Sequence, residues 1–320
     1  MPEAPTPAAD PDPGPAVRTA GLTRRFGDVL AVDGVDLTVD RGAVFGLLGP
    51  DGAGKSTLIR MLATVLLPDQ GEAIVLGRST RHQADEITGR IGYMSQRFSM
   101  YPDLTVAENL EFFATVRGVP RALRRERADR LLDGMGLAEF RARQARHLSG
   151  GMKQKLMLAA TLMHEPELLL LDEPTTGVDP VSRREFWRVL ADLHRARTTV
   201  VVATPYMDEA ERCTAIAFLD GGRIRHQGTP EQIAALIPGV LVEIAGADPH
   251  AIRAALSGLA DAGSPHVLGD AVRVVWSGPA SQAEGQLRGH LAAAGLVVTE
   301  IRPITPDMET AFAVLAEAGR

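Results

Sequence analysis

The chain has 320 residues, a formal net charge of −6, and 45% hydrophobic and 23% charged residues. That length suffices for one large or two medium domains, and the acidic balance argues against a nucleic-acid face, which carries clustered Lys and Arg. A single cysteine, Cys213, excludes an intrachain disulfide and fits a reducing cytoplasm, and no apolar run approaches the roughly 18–20 residues that span a bilayer.

Residues 1–16, MPEAPTPAADPDPGPA, are rich in Pro, Ala and Asp and lack the basic-then-apolar order of a signal peptide. They are expected to form a disordered tail. Short apolar runs then alternate with helical patterns: AVFGLL (43–48), IGYMS (91–95), LLLLD (168–172), TVVVA (199–203) and AIAFLD (215–220) read as strands. Continuous apolar runs are what a parallel sheet covered by helices on both faces requires. Between Gln96 and Leu148 the sequence turns Arg-rich and helix-periodic, which predicts a helical insertion over about 97–150. Residues 240–320 read β-α-β-β-α-β, with a weak strand near His266–Leu268, like a small ferredoxin-type domain.

The stretch FGLLGPDGAGKSTLIRML (45–62) is a strand, a glycine-rich turn and an amphipathic helix, with the spacing of a P-loop from Gly49 to Ser56. Gly49, Gly52 and Gly54, with Pro50, Asp51 and Ala53 between them, let backbone N–H groups wrap phosphate oxygens without Cβ clashes. Lys55 supplies a point charge to the β- and γ-phosphates, the Ser56 hydroxyl suits Mg²⁺, and Thr57 continues the helix. The helix N-terminus adds partial positive charge. Downstream, LLLLDEP (168–174) ends a buried strand in two acids: Asp172 to orient the metal and Glu173 to polarise the attacking water.

A third stretch, HLSGGMKQKLMLAATLMHEPELLLLDEP (147–174), resembles the signature of ABC ATPases, and the resemblance covers about residues 17–235. It implies an α/β fold: a P-loop NTPase of the ABC type with a helical insertion and a small C-terminal α+β domain. It also implies a dimer in which Ser149, Gly150 and Gly151 meet the γ-phosphate bound by the opposite subunit. Phe26 matches the aromatic that stacks on adenine, although alone it also reads as a core residue. Gln96 matches a glutamine that touches Mg²⁺ and couples to the insertion. Asp179, in TTGVDP, matches the loop aspartate lying across the dimer interface.

This chain departs from the family pattern twice. Pro205 stands where the family carries a histidine that contacts the γ-phosphate, and Asp51 stands where Asn or Ser is usual. In a homodimer Asp51 would face another copy's Asp179, a like-charge pair that disfavours closure. Either the site lacks its phosphate sensor or Thr204 or Tyr206 substitutes. The same pair of departures resembles the first ATPase of paired units in bacterial multidrug exporters. The ending RPITPDMETAFAVL is similar to the C-terminal extension of antibiotic-exporting, daunorubicin-resistance-type subunits.

The resemblance therefore implies ATP and Mg²⁺ as cofactors and a membrane permease as partner, at the inner face of the cell membrane. A second, histidine-bearing ATPase is the favoured companion, with a homodimer as the alternative. Phe98, Met100 and Tyr101 open the insertion where the family receives the permease. Two other readings compete: a binding-only regulatory subunit, and an ABC ATPase of translation or DNA repair. The second lacks the tandem units or long coiled coils such proteins carry.

Overall fold

The computed structural model describes residues 14–318. Most of the expected tail, residues 1–13, lies outside them, whereas Ala16 is fully buried and its carbonyl accepts a hydrogen bond from Leu76 N–H. Contacts divide the chain into Met1–Gln227 and Gly228–Arg320.

The first unit opens with two long antiparallel strands, β1 (Val17–Phe26) and β2 (Val29–Val39), paired from Val17 opposite Val39 to Phe26 opposite Val29 with register shifts between Thr19 and Arg25. The fully buried β3 (Val44–Leu48) leads through the glycine-rich loop into α1 (Lys55–Leu62). Strands β4 (Gln70–Val75) and β5 (Arg78–Ser79) return to complete a four-stranded sheet, β2-β1-β4-β5. After α2 (Ala84–Thr88) and β6 (Ile91–Met94) comes the helical insertion, with α3 (Val106–Val116) and α4 (Arg121–Gly134). A capping box between Thr105 and Glu108 starts α3, satisfying two of its orphan N–H groups. The chain continues through α5 (Gly150–Leu162), β7 (Leu168–Asp172), α6 (Pro180–Arg195), β8 (Thr199–Thr204), β9 (Ala215–Asp220) and β10 (Arg223–Gly228).

The central sheet runs β10-β9-β3-β8-β7-β6 and is parallel from β9 to β6. Every residue of β3, β7 and β8 is buried, as their unbroken apolar sequences require. Register places Leu48 beside Thr204 and Asp172 beside Ala203. The glycine loop, the acidic pair and the Thr204–Pro205 bend therefore emerge together at the carboxyl ends of adjacent strands, where open α/β sheets bind ligands.

The second unit contains α7 (Pro230–Ala234), β11 (Val240–Gly246), α8 (Pro249–Leu256), β12 (His266–Leu268), β13 (Ala271–Trp276), α9 (Ala280–Ala293), β14 (Val298–Pro303) and α10 (Met308–Ala318). Its sheet, β12-β13-β11-β14, is wholly antiparallel, the order of a split β-α-β fold. Ile244, Ile252, Leu256, Val274, Trp276 and Leu287 form its core. Arg273 joins Glu243 to Asp307, and Asp307 Oδ1 accepts the Thr310 N–H at 2.8 Å, which fixes the start of α10 against the sheet.

Candidate functional site

The glycine loop is shaped by two positions that admit no side chain. A Cβ on Gly49 would lie 2.1 Å from Leu219 O, and one on Gly54 would lie 2.2 Å from Ala31 O. Both also have positive φ, 154° and 105°. Gly54 is the N-cap of α1, and no side chain caps that helix, so its first N–H groups are left for an anion. Pro50, Asp51 and Gly52 form the exposed tip, Ala53 is buried beneath it, and Thr57 is half-buried in the first turn of α1. Lys55 is 3% exposed. Its Nζ donates to Gly49 O at 2.8 Å and Pro50 O at 3.0 Å, and lies 3.4 Å from Glu173 Oε1.

The acidic pair faces this loop. Asp172 is fully buried; its Oδ1 accepts the Ser56 hydroxyl at 2.7 Å, and its Oδ2 has no hydrogen-bond partner. Burial pushes the Asp172 carboxyl above the usual carboxylate range, with the Ser56 hydrogen bond pulling the other way. Glu173 adopts φ 50°, anchored by its N–H to Ala203 O at 2.9 Å. Its Oε2 accepts Gln96 Nε2 at 2.8 Å and the Thr176 hydroxyl at 3.3 Å. A hard divalent cation fits this donor set: Ser56 Oγ, Asp172 Oδ2 and the Gln96 amide oxygen are all oxygens. A buried acceptor without a partner costs roughly 1–3 kcal/mol, and a bound cation would offset that cost.

Pro205 is half-buried at the end of β8. Thr204 is fully buried and its hydroxyl oxygen accepts the Tyr206 N–H at 3.1 Å. The Tyr206 ring lies 4.0 Å below the Arg183 guanidinium carbon. Both candidate substitutes for a histidine are thus engaged locally. The acidic stretch that follows is a 3₁₀ turn, Met207–Arg212, in which Glu209 is completely buried. Sequence reasoning missed Glu209, because MDEAER carries no pattern that separates it from a solvated turn.

The signature residues start a helix elsewhere on the same unit. Ser149 caps α5 by accepting Met152 N–H at 3.3 Å, and Gly150 is exposed. Gly151 is obligatory, since a Cβ there would meet Ser182 Oγ of α6 at 2.4 Å. Asp179 caps α6, accepting Val181 N–H at 3.1 Å and Ser182 N–H at 3.0 Å. The Ser182 hydroxyl foremost, then these backbone N–H groups, hold its carboxyl below the usual range. Phe26 is 47% exposed with the Arg24 guanidinium 4.9 Å from its ring centre. Among the described residues, the hydrogen bonds that gather Lys55, Ser56, Gln96, Asp172 and Glu173 include none from Phe26, Ser149–Gly151 or Asp179.

Residues 32–176 match the family model described as ABC transporter. The chain is 44% identical over 214 residues to the probable multidrug ABC transporter ATP-binding protein YbhF of Escherichia coli, covering 67% of this chain but only 37% of that protein. It is 45% identical over 222 residues to the daunorubicin/doxorubicin resistance ATP-binding protein DrrA of Streptomyces peucetius, covering 69% and 67%. Similarity to the daunorubicin resistance ATP-binding protein DrrA3 of Streptomyces coeruleorubidus runs through both units, at 36% identity over 93% of this chain and 94% of that one. Among solved structures, a dimeric ATP-binding cassette, MJ0796, in a post-hydrolysis state with ADP and Pi superposes with a TM-score of 0.61 at 27% identity, covering 67% of this chain and 98% of that one. The cassette cbiO1 of Clostridium perfringens, part of the transporter complex cbiONQ, gives a TM-score of 0.64 at 26% identity, covering 70% and 92%.

Proposed function

The chain belongs to the ABC transporter ATP-binding family, and on that premise we propose that it binds ATP with Mg²⁺ and hydrolyses it to drive export through a separate membrane permease. The carrying observation is the cluster in which buried Lys55, Asp172 and Glu173 meet half-buried Ser56 and exposed Gln96 at adjacent strand ends. In this reading Lys55 turns from the Gly49 and Pro50 carbonyls to the β- and γ-phosphates. Ser56, Asp172 and Gln96 would hold the cation, which would supply neutralising charge for the phosphoryl oxygens. Glu173, released from Lys55 and steadied by Gln96 and Thr176, orients and polarises the attacking water.

Among the described residues no helix is long and apolar enough to cross a membrane, so transport calls for a partner that does. The helical insertion supplies a docking face: Tyr101 and Phe112 are 47% and 37% exposed, and their rings meet edge-on at 4.7 Å. Met100 is buried and Phe98 half-buried beside Lys153, so Tyr101 is the exposed one of the three residues read there. The subunit would sit on the inner face of the membrane. The names of its relatives support a drug- or antibiotic-type cargo.

Pro205 carries the further reading that the working unit is a heterodimer. A proline offers no donor to the γ-phosphate, whereas Ser149–Gly151 remain available to complete a second ATPase's site. The same residue favours the second reading, a subunit that binds ATP without turning it over. Steady-state turnover of the purified chain, alone and with a histidine-bearing ATPase, tests both. The heterodimer reading expects weak activity alone and strong activity in the pair. Strong cooperative hydrolysis by the chain alone overturns it, and none in either setting favours the binding-only subunit.

A further inference from the structure

Among the described residues, Asp172, Glu173 and Glu209 are the buried carboxylates, and Glu209 stands apart from the phosphate cluster. Its Oε1 accepts the Thr175 hydroxyl at 2.7 Å and lies 3.8 Å from Arg183 Nε, while its Oε2 has no hydrogen-bond partner. Its backbone carbonyl receives the Cys213 thiol at 3.5 Å.

Each neighbour belongs to a different working segment. Thr175 is buried two residues after Glu173, and the adjoining Thr176 hydroxyl reaches Glu173 Oε2 at 3.3 Å. Arg183 donates its N–H to Asp179 O at 2.9 Å, within the helix start that Asp179 caps. The same guanidinium covers Tyr206 at 4.0 Å and reaches Asp208 at 3.5 Å, on the turn that follows Pro205. One carboxylate thus joins the loop that carries Glu173, the start of α6 and the Pro205 turn.

Stability does not account for this carboxylate. A fully buried carboxylate with one hydrogen bond and one distant cation is poorly compensated, and apolar packing in such a place is often at least as stable. We infer that Glu209 is a positioning residue for the phosphate site, holding the Glu173 loop and the Asp179 helix start in place relative to the Pro205 turn through Thr175 and Arg183. The inference rests on the hydrolytic reading above. It adds a contact that transmits the position of one edge of the site to the other, with Glu209 acting through Thr175 and Arg183.

The test uses the full chain with its partner ATPase and compares Glu209→Gln, Thr175→Val and Thr175→Ser. Misplacement of a reacting group by about 1 Å lowers rates by up to roughly 100-fold. Glu209→Gln and Thr175→Val should therefore each lower kcat about 10-fold or more, with KM for ATP and the melting temperature little changed. Thr175→Ser, which keeps the hydroxyl, should retain kcat. The double variant Glu209→Gln/Thr175→Val should be no slower than the worse single one, because both remove the same link. Unchanged kcat in both singles, or losses that multiply in the double, overturns the inference while leaving the hydrolytic reading intact. A complex of unmodified proteins that binds ATP but never turns it over overturns both.

Discussion

The two units bury charge differently. Met1–Gln227 buries Lys55, Asp172, Glu173 and Glu209, whereas the buried polar residue of the second unit, among those described, is Thr310. In the second unit Glu243, Arg273, Arg302 and Asp307 pair with one another while remaining partly exposed. Buried charge costs free energy unless it is paired or put to use. The first unit accepts that cost where strand ends converge. The second is held by apolar packing and that ion-pair network, and among the described residues it buries no charged side chain.

That contrast is most directly broken at Glu173. Glu173→Gln should keep ATP binding and slow turnover of the active complex by roughly 10²- to 10⁴-fold, the usual range for a general base. Unchanged steady-state turnover would mean that Glu173 is not the base or that this site is not the hydrolytic one. Next in size, Lys55→Ala removes the principal fixed cation. With charge-assisted hydrogen bonds contributing about 1.5–3 kcal/mol each, a Mg–ATP titration should show roughly 100-fold weaker binding.

Restoring a donor at the strand end sharpens the comparison from the other side. Pro205→His should raise turnover of the isolated chain by about 10- to 150-fold, most clearly together with Asp51→Asn. A smaller effect, confined to the other unit, is expected from Leu287→Ala. Removing that fully buried side chain should destabilise the second unit by about 2–5 kcal/mol in a denaturant titration, with ATP affinity unchanged. The smallest change should come from ending the chain at Gln227: Mg–ATP binding by a soluble, folded truncation should stay within about twofold. Its loss would mean that the phosphate site depends on residues 228–320.

What could be read from the sequence follows the same divide in physical character. Strands buried on both faces announce themselves as apolar runs, so β3, β6, β7, β8 and β9 were expected within a residue or two of where they lie. Strands β1 and β2 were not singled out. Arg18, Arg24, Arg25 and Gly21 interrupt β1, and its buried residues, Val17, Thr19 and Leu22, leave no unbroken apolar run. The glycine loop was legible because phosphate geometry dictates residue types at fixed spacing. The Thr175–Glu209–Arg183 convergence was not, since it joins residues 34 apart in sequence through a contact that no local pattern encodes.

The Lys55–Glu173 pair also determines how the site responds to solvent ions. The two side chains are 3% and 8% exposed, so dissolved salt screens their attraction far less than it screens surface pairs such as Arg146–Asp103, at 52% and 77%. The resting site carries its own internal counterion. An incoming triphosphate displaces one anion from Lys55 with another, so capture is an exchange between partners and not the filling of a bare positive hole. A triphosphate brings several simultaneous contacts to that exchange: Lys55, the Ser56 hydroxyl and the uncapped N–H groups that open α1.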